Sequence, residues 1–187
     1  MGTVIRPARL EAAELHECLK LYALDRYLFE QVHPRFRKEG ILEPFDFFAI
    51  VAWKSNRTKT KIKRGLEDAG KSVQELMGEV AQAETPRDKV EVLLQVRGIG
   101  LAVASAILAV CDPETFTVLD YRAWETLPRA SLEGLPERSP VTPAEYLDYC
   151  RVCRRLAEQV GMSLRDLDRA LWAKSWRDDL CELIQSS

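Results

Sequence analysis

Apolar residues recur at helical spacing along most of the chain, and no stretch alternates as a half-buried strand does. The pattern predicts an all-α fold. A first helix is expected over residues 8–31, with Leu15, Leu19, Tyr22 and Leu28 or Phe29 near one face, and His33-Pro34 ends it. Tyr22, Asp25 and Tyr27 on this helix are candidates for lining a pocket; a partly buried aromatic edge is the plainer reading. An apolar run over 45–53 follows Pro44 and reads as a buried helix with proline in its first turn. Residues 72–83 form the next helix, with Ser72 as N-cap, and Thr85-Pro86 opens another that reaches Val96. The run over 101–111 is the most apolar, broken only by Ser105, and is too short to span a bilayer.

Further helices are expected over 121–127 and from Thr142-Pro143 to about Val160, the latter closed by Gly161. Between them, residues 128–141 carry three prolines and Gly134 and read as a long connection. Ser163-Leu164-Arg165-Asp166 reads as a capping box for the last helix, whose apolar stripe is Leu164, Leu167, Leu171 and Trp172. The 187 residues suffice for one globular unit. Within it, 44–127 form one lobe, and 1–43 with 128–187 form a second that packs the chain ends together.

The corner between the helices ending near Val96 and starting near Leu101 is Gly98-Ile99-Gly100. Two glycines around one apolar residue permit a tight turn, and Ile99 would plug its inner side. The first amides of the following helix have no intrahelical acceptor and sit at the positive end of its dipole. Such a corner can hold a phosphate with no basic side chain. A simple helix–helix turn is the bland alternative. Asp120 stands after the run Val118-Leu119 and before the next helix. An aspartate there is a good N-cap and needs no catalytic role; a cap and a catalytic carboxylate are also compatible.

Composition adds one local anomaly to a neutral background. Net charge is −2, so no global basic field points to nucleic acid. Residues 54–64, however, hold six basic side chains in eleven positions and no acid: Lys54, Arg57, Lys59, Lys61, Lys63 and Arg64. Ser, Asn and Thr accompany them, a mixture suited to backbone phosphates, although a solvated helix face has the same composition. The five cysteines are scattered in apolar contexts and suggest reduced thiols in the cytoplasm rather than disulfides. Cys150 and Cys153 form a lone CxxC inside an expected helix and read as packed thiols. His16 and His33 have no ligand-like spacing, so no metal site is expected. The first ten residues contain no apolar segment of the secretory type.

Residues 93–124 closely resemble the helix-hairpin-helix DNA glycosylase superfamily, which includes endonuclease III, adenine glycosylase, 8-oxoguanine glycosylase and the 3-methyladenine glycosylases. Val96-Arg97-Gly98-Ile99-Gly100 matches the hairpin, Ala104 its small residue, and Val118-Leu119-Asp120 the approach to the catalytic aspartate. The resemblance is looser over 44–93. It implies a trimmed helical bundle and a cytoplasmic, nucleoid-associated location if the source is bacterial. Double-stranded damaged DNA would be the partner and Asp120 the catalytic residue. DNA-backbone contacts would come from Gly98, Gly100, Ala102, Lys54, Arg57, Lys59 and Lys61. Lys54, Ser55 and Asn56 are the candidates for a wedge filling the gap left by an extruded base. Tyr22, Tyr121 and Trp124 are candidates for the base pocket, although a core aromatic is the plainer reading of Trp124. No cofactor is implied, apart from a monovalent cation that the hairpin 98–102 could hold.

Three departures shape the expected chemistry. Arg97 replaces the usual proline. Ala102 stands where bifunctional members carry a Schiff-base lysine, which implies a monofunctional enzyme that hydrolyses the N-glycosidic bond. The compact four-cysteine cluster pattern is absent. Residues 50–52 also lack the glutamate of adenine glycosylase, so adenine opposite 8-oxoguanine is not the expected substrate. Two other readings stay open: a non-enzymatic helix-hairpin-helix DNA-binding module, and a structural helical domain.

Overall fold

The computed structural model describes residues 23–127, 135 and 138–185, and among these no strand occurs. The first helical rod, α1, runs through Leu24–Tyr27, a π-helical turn Leu28–Val32, and His33–Glu39. The expected stop at His33-Pro34 is therefore corrected: the chain stays helical beyond it. Proline lacks an N–H, and its ring collides with the carbonyl four residues back. For Pro34 that carbonyl belongs to Glu30, inside the widened π-turn, where the regular ladder is already interrupted. The rod ends at Gly40, which is left-handed at φ 69°. The expected helical residues 8–22 lie outside the described residues.

The remaining helices follow the hydrophobic pattern, except that the helix over 59–68 is not among those it predicts. They are α2 (Pro44–Ser55), α3 (Lys59–Asp68), α4 (Val73–Gln82), α5 (Pro86–Leu94), α6 (Leu101–Cys111), α7 (Tyr121–Thr126), α8 (Pro143–Val160) and α9 (Leu164–Gln185). Reciprocal capping boxes start three of them: Ser72 with Glu75, Thr85 with Asp88, and Thr142 with Glu145. Ser163 and Asp166 likewise bond each other at the start of α9, as the sequence suggests. Gly161 closes α8 at φ 69°.

Helix α6 is the axis of the core. Every residue from 103 to 110 is buried, and the helix packs against α1, α2 and α5. Full burial of a Val, Leu or Ile side chain contributes about 1.5–3 kcal/mol, so this helix anchors its neighbours. Helix α8 covers α5, and α9 lies across both α7 and α8. One buried apolar cluster takes residues from Leu28 through Leu171. In α9, Leu164, Leu167 and Leu171 are buried as expected, whereas Trp172 is half-exposed at 45% and stands outside the core.

The segment between α6 and α7 turns at residues 113–115 and is then held from both sides. Ser105, the polar break in α6, is fully buried and accepts a hydrogen bond from Leu119 N at 2.9 Å while donating to Ala102 O at 2.8 Å. From α8, Tyr146 Oη donates to Thr117 O at 2.9 Å, and an Arg154 guanidinium nitrogen donates to Thr115 O at 2.8 Å. Phe116 stacks on Tyr146 with ring centroids 6.5 Å apart. These bonds satisfy backbone groups that would otherwise be buried and unpaired. They also fix where the chain delivers Asp120.

Candidate active site

Asp120 is the N-cap of α7. Its Oδ1 accepts from Arg122 N at 3.0 Å, so the capping role read from the sequence is present. Its Oδ2 accepts from Lys54 Nζ at 2.7 Å, a contact spanning 66 residues. The Lys54 and Asp120 side chains are 11% and 24% exposed. One carboxylate oxygen thus fastens a helix, while the other faces an amine in a sheltered site. Such a carboxylate is oriented by both partners and can stabilise a cationic sugar or align a water.

The pair opens into a cavity of about 370 Å³ lined by Asp25, Trp53, Lys54, Val118, Asp120, Arg165, Asp168, Arg169 and Trp172. Three carboxylates and three cations line it, and each has a partner. Arg165 bonds both Asp25 and Asp168, and Arg169 bonds Asp25 at 2.6 Å. The Arg165 guanidinium also lies over the Phe29 ring at 4.0 Å and the Trp53 ring at 5.3 Å. Burial pushes the Asp168 carboxyl up to about 6 from an ordinary 3.8; Arg165 and Lys54 pull it down, and the Asp120 charge adds to the rise.

The glycine corner stands at the start of α6. Gly98 adopts φ 104° and Ile99 is buried inside the turn. Gly100 caps α6 with no side-chain hydrogen bond, and its carbonyl accepts from Val103 N and Ala104 N at 3.0 and 2.9 Å. The amides of Leu101 and Ala102 therefore precede the first intrahelical bond. Gly100 and Ala102 are exposed. Helix α3 is pressed against this corner. A Cβ on Gly65 would lie 2.0 Å from Arg97 O, and one on Gly98 would lie 3.0 Å from both Ile62 N and Lys61 Cγ. The basic start of α3 thus adjoins the corner, with Arg57, Lys59 and Lys61 exposed.

Several expected site residues stand elsewhere. Lys54 is turned inward to Asp120 and does not share the outer basic face. Among the other wedge candidates, Ser55 is half-buried, and exposed Asn56 accepts from Lys59 Nζ at 2.7 Å. Trp124 takes the plainer of its two readings: it is buried and tilts against Tyr149 at 5.8 Å, in the core rather than the cavity. Tyr121 is 58% exposed, with the Arg122 guanidinium over its ring, and does not line the cavity. Tyr22 lies outside the described residues. Of the α1 candidates, Asp25 lines the cavity, whereas Tyr27 donates to Asp46 at 2.7 Å on another side of the helix.

Trp53, Arg165, Asp168, Arg169 and Trp172 join the site without being among its expected residues. Asp168 carries a readable signal, since it falls on the Leu164, Leu167, Leu171 stripe of α9. The CxxC thiols, Cys150 and Cys153, are free and buried, and burial pushes both up from the ordinary range. Among the described residues no cluster of three or more His, Cys, Asp or Glu is arranged to hold a metal ion, and no helix is long and apolar enough to cross a membrane. No family model matches the chain, and no solved structure gives a significant match.

Proposed function

We propose that the protein is a helix-hairpin-helix DNA glycosylase-like base-excision protein that hydrolyses the N-glycosidic bond of a damaged base. Duplex DNA lies with its phosphates against the Leu101 and Ala102 amides and the exposed Arg57, Lys59 and Lys61. An extruded nucleotide enters the cavity beside Asp120. As the base departs with the bonding electron pair, Asp120 stabilises the cationic sugar and orients water toward C1′.

The observation that carries this reading is a closed circuit of contacts. The corner touches α3 through Gly65 and Gly98. Helix α3 follows α2, whose end holds Lys54. Lys54 bonds Asp120, and Asp120 follows Leu119, which Ser105 of α6 holds. Helix α6 begins at the same corner. The open amides of the corner, a basic surface and a sheltered carboxylate thus share one frame.

The test is base release from a panel of damaged duplexes, with affinity for abasic-analogue and intact duplex measured at two salt concentrations. Wild type should release a base and prefer the abasic duplex, with affinity falling as salt rises. Asp120→Asn should keep binding and lose release. Release of no base alongside unchanged affinity for all duplexes would sink the reading.

The bond from Arg122 N to Asp120 specifically favours a second reading, a DNA-binding module in which Asp120 only caps α7. Under it, Asp120→Asn changes neither binding nor any activity.

A further inference from the structure

Beyond Leu171, its last buried residue, α9 carries a second apolar stripe that faces outward. Trp172, Trp176, Leu180 and Ile184 recur at every fourth position with Leu183 beside them, and these side chains are between 39% and 74% exposed. We infer that the stripe is a homodimer interface, on which α9 of a second copy of this chain packs antiparallel about a two-fold axis level with Asp178.

The size of the stripe is the first reason. With a large side chain taken at about 200 Å², those exposures leave roughly 500 Å² of apolar surface along one helix, the size of patch that marks an interaction site. Two copies sharing it bury about 1,000 Å² from the stripe alone, and flanking side chains bring the total into the range of about 1,200–2,000 Å² of stable pairs. Helix α7 holds this part of α9 from another side, with Arg122 bonding Ser175 and Asp179, so the stripe is presented on a fixed rod.

Symmetry is the second reason. A two-fold contact needs a patch that complements itself. About position 178 the stripe does: Trp176 meets the partner's Leu180, and Trp172 meets the partner's Ile184, so each ring faces an aliphatic side chain. Residues four apart form one ridge, and interdigitation of such ridges is the commonest helix packing.

Charge selects both the occupant and its direction. Residues 172–185 hold two cations, Lys174 and Arg177, against three carboxylates, Asp178, Asp179 and Glu182. Both cations bond Asp178, so this face offers no field for nucleic-acid phosphates. Antiparallel pairing sets Lys174 level with the partner's Glu182 and Arg177 level with the partner's Asp179, whereas parallel pairing aligns like charges. Trp172 also lines the cavity beside Asp120. The partner's Leu183 and Ile184 therefore come against the rim of that cavity, whatever chemistry it performs.

Sedimentation velocity of the full chain from about 1 to about 100 µM tests this. Wild type should move from one chain of 21.3 kDa toward two as concentration rises. Trp176→Glu and Leu180→Lys should each stay monomeric throughout, with circular dichroism unchanged. Mixed in equal amounts they should dimerise again, because one contact then regains Trp176 against Leu180 and the other brings the two introduced charges together. A wild type that stays monomeric, a Trp176→Glu protein that dimerises like wild type, or a mixture that stays monomeric overturns the proposal. A lower thermal midpoint for Trp176→Glu than for wild type at concentrations where both are monomeric overturns it too, since the chain's own residues would then cover the stripe.

Discussion

Two regions are tied to α6, the corner by sequence and the Asp120 cavity through the Ser105–Leu119 bond, and they are made of different materials. The corner at Gly98–Gly100 presents backbone: open amides, one positive φ, and a helix pressed so close that Gly65 has no room for a methyl group. The cavity beside Asp120 presents side-chain charge, with carboxylates and cations interlocked between α1, α2, α7 and α9. The first is specified by short-range stereochemistry and tolerates almost no change in shape. The second is specified by pairing across long sequence distances and responds to pH and salt. Function on the proposed reading needs both, because phosphate recognition without the carboxylate is only binding.

The contrast can be broken most sharply at Gly65. A Cβ there meets the Arg97 carbonyl at 2.0 Å, and neither backbone can yield without separating α3 from the corner. Gly65→Ala should cost about 3 kcal/mol or more, read from the denaturant midpoint. A loss near zero would mean that α3 and the corner are only loosely joined.

Next in size is the pH response of the cavity. The Asp168 carboxyl is raised from 3.8 to about 6, so the folded state holds that proton more tightly than the unfolded chain. Its contribution to stability is fully present below pH 3.8 and is lost as pH rises through about 6. Wild type should therefore lose on the order of 2–3 kcal/mol over that window relative to Asp168→Asn, which cannot ionise. Equal pH profiles for the two proteins in thermal unfolding would show that the carboxylate is not desolvated. Glu145, held down to about 2 by Val141 N, Arg138 and Thr142, changes stability in the opposite sense and at lower pH, and it cancels in this difference.

The smallest and most discriminating effect compares the two corner glycines. Gly98→Ala forces a side chain onto φ 104° and against Ile62, at a cost of about 1–3 kcal/mol. Gly100 has φ −96°, and a Cβ added to it would meet nothing within 4 Å, so Gly100→Ala should change stability by no more than about 0.5 kcal/mol. Its added methyl stands beside the open amides and should weaken duplex binding. If binding is unchanged, phosphates do not approach that corner.

What can be read from the sequence follows the same division. The capping boxes, the glycine turn, the buried run of α6 and the helix-starting Asp120 are local devices, and each lies where the hydrophobic pattern puts it. Lys54 reads with its basic neighbours because a charge run reveals no distant partner; Asp120, 66 residues away, draws it inward. Asp25 and Arg165 pair across 140 residues. Periodicity identifies an aromatic residue's buried face but not the element facing it, so nothing local marks Trp53 of α2 as a tryptophan that lines the cavity. Gly65 leaves a legible trace, a lone glycine within a helical pattern, which can mark a packing constraint.

The π-turn in α1 takes up one residue, and the regular helix beside it sets the rotational phase of everything before it. Leu28–Val32 is wider than an α-turn by one residue, and an α-helix advances about 100° per residue. Closing that turn to an α-turn by deleting one residue would leave Leu24–Tyr27 in phase, whereas adding one residue to the regular helix beside it would turn that segment about its own axis by roughly that angle and carry Asp25 away from Arg165 and Arg169. The register of the chain at this point is thus as constrained as its chemistry: a one-residue insertion would uncouple a carboxylate from its cations while altering none of them.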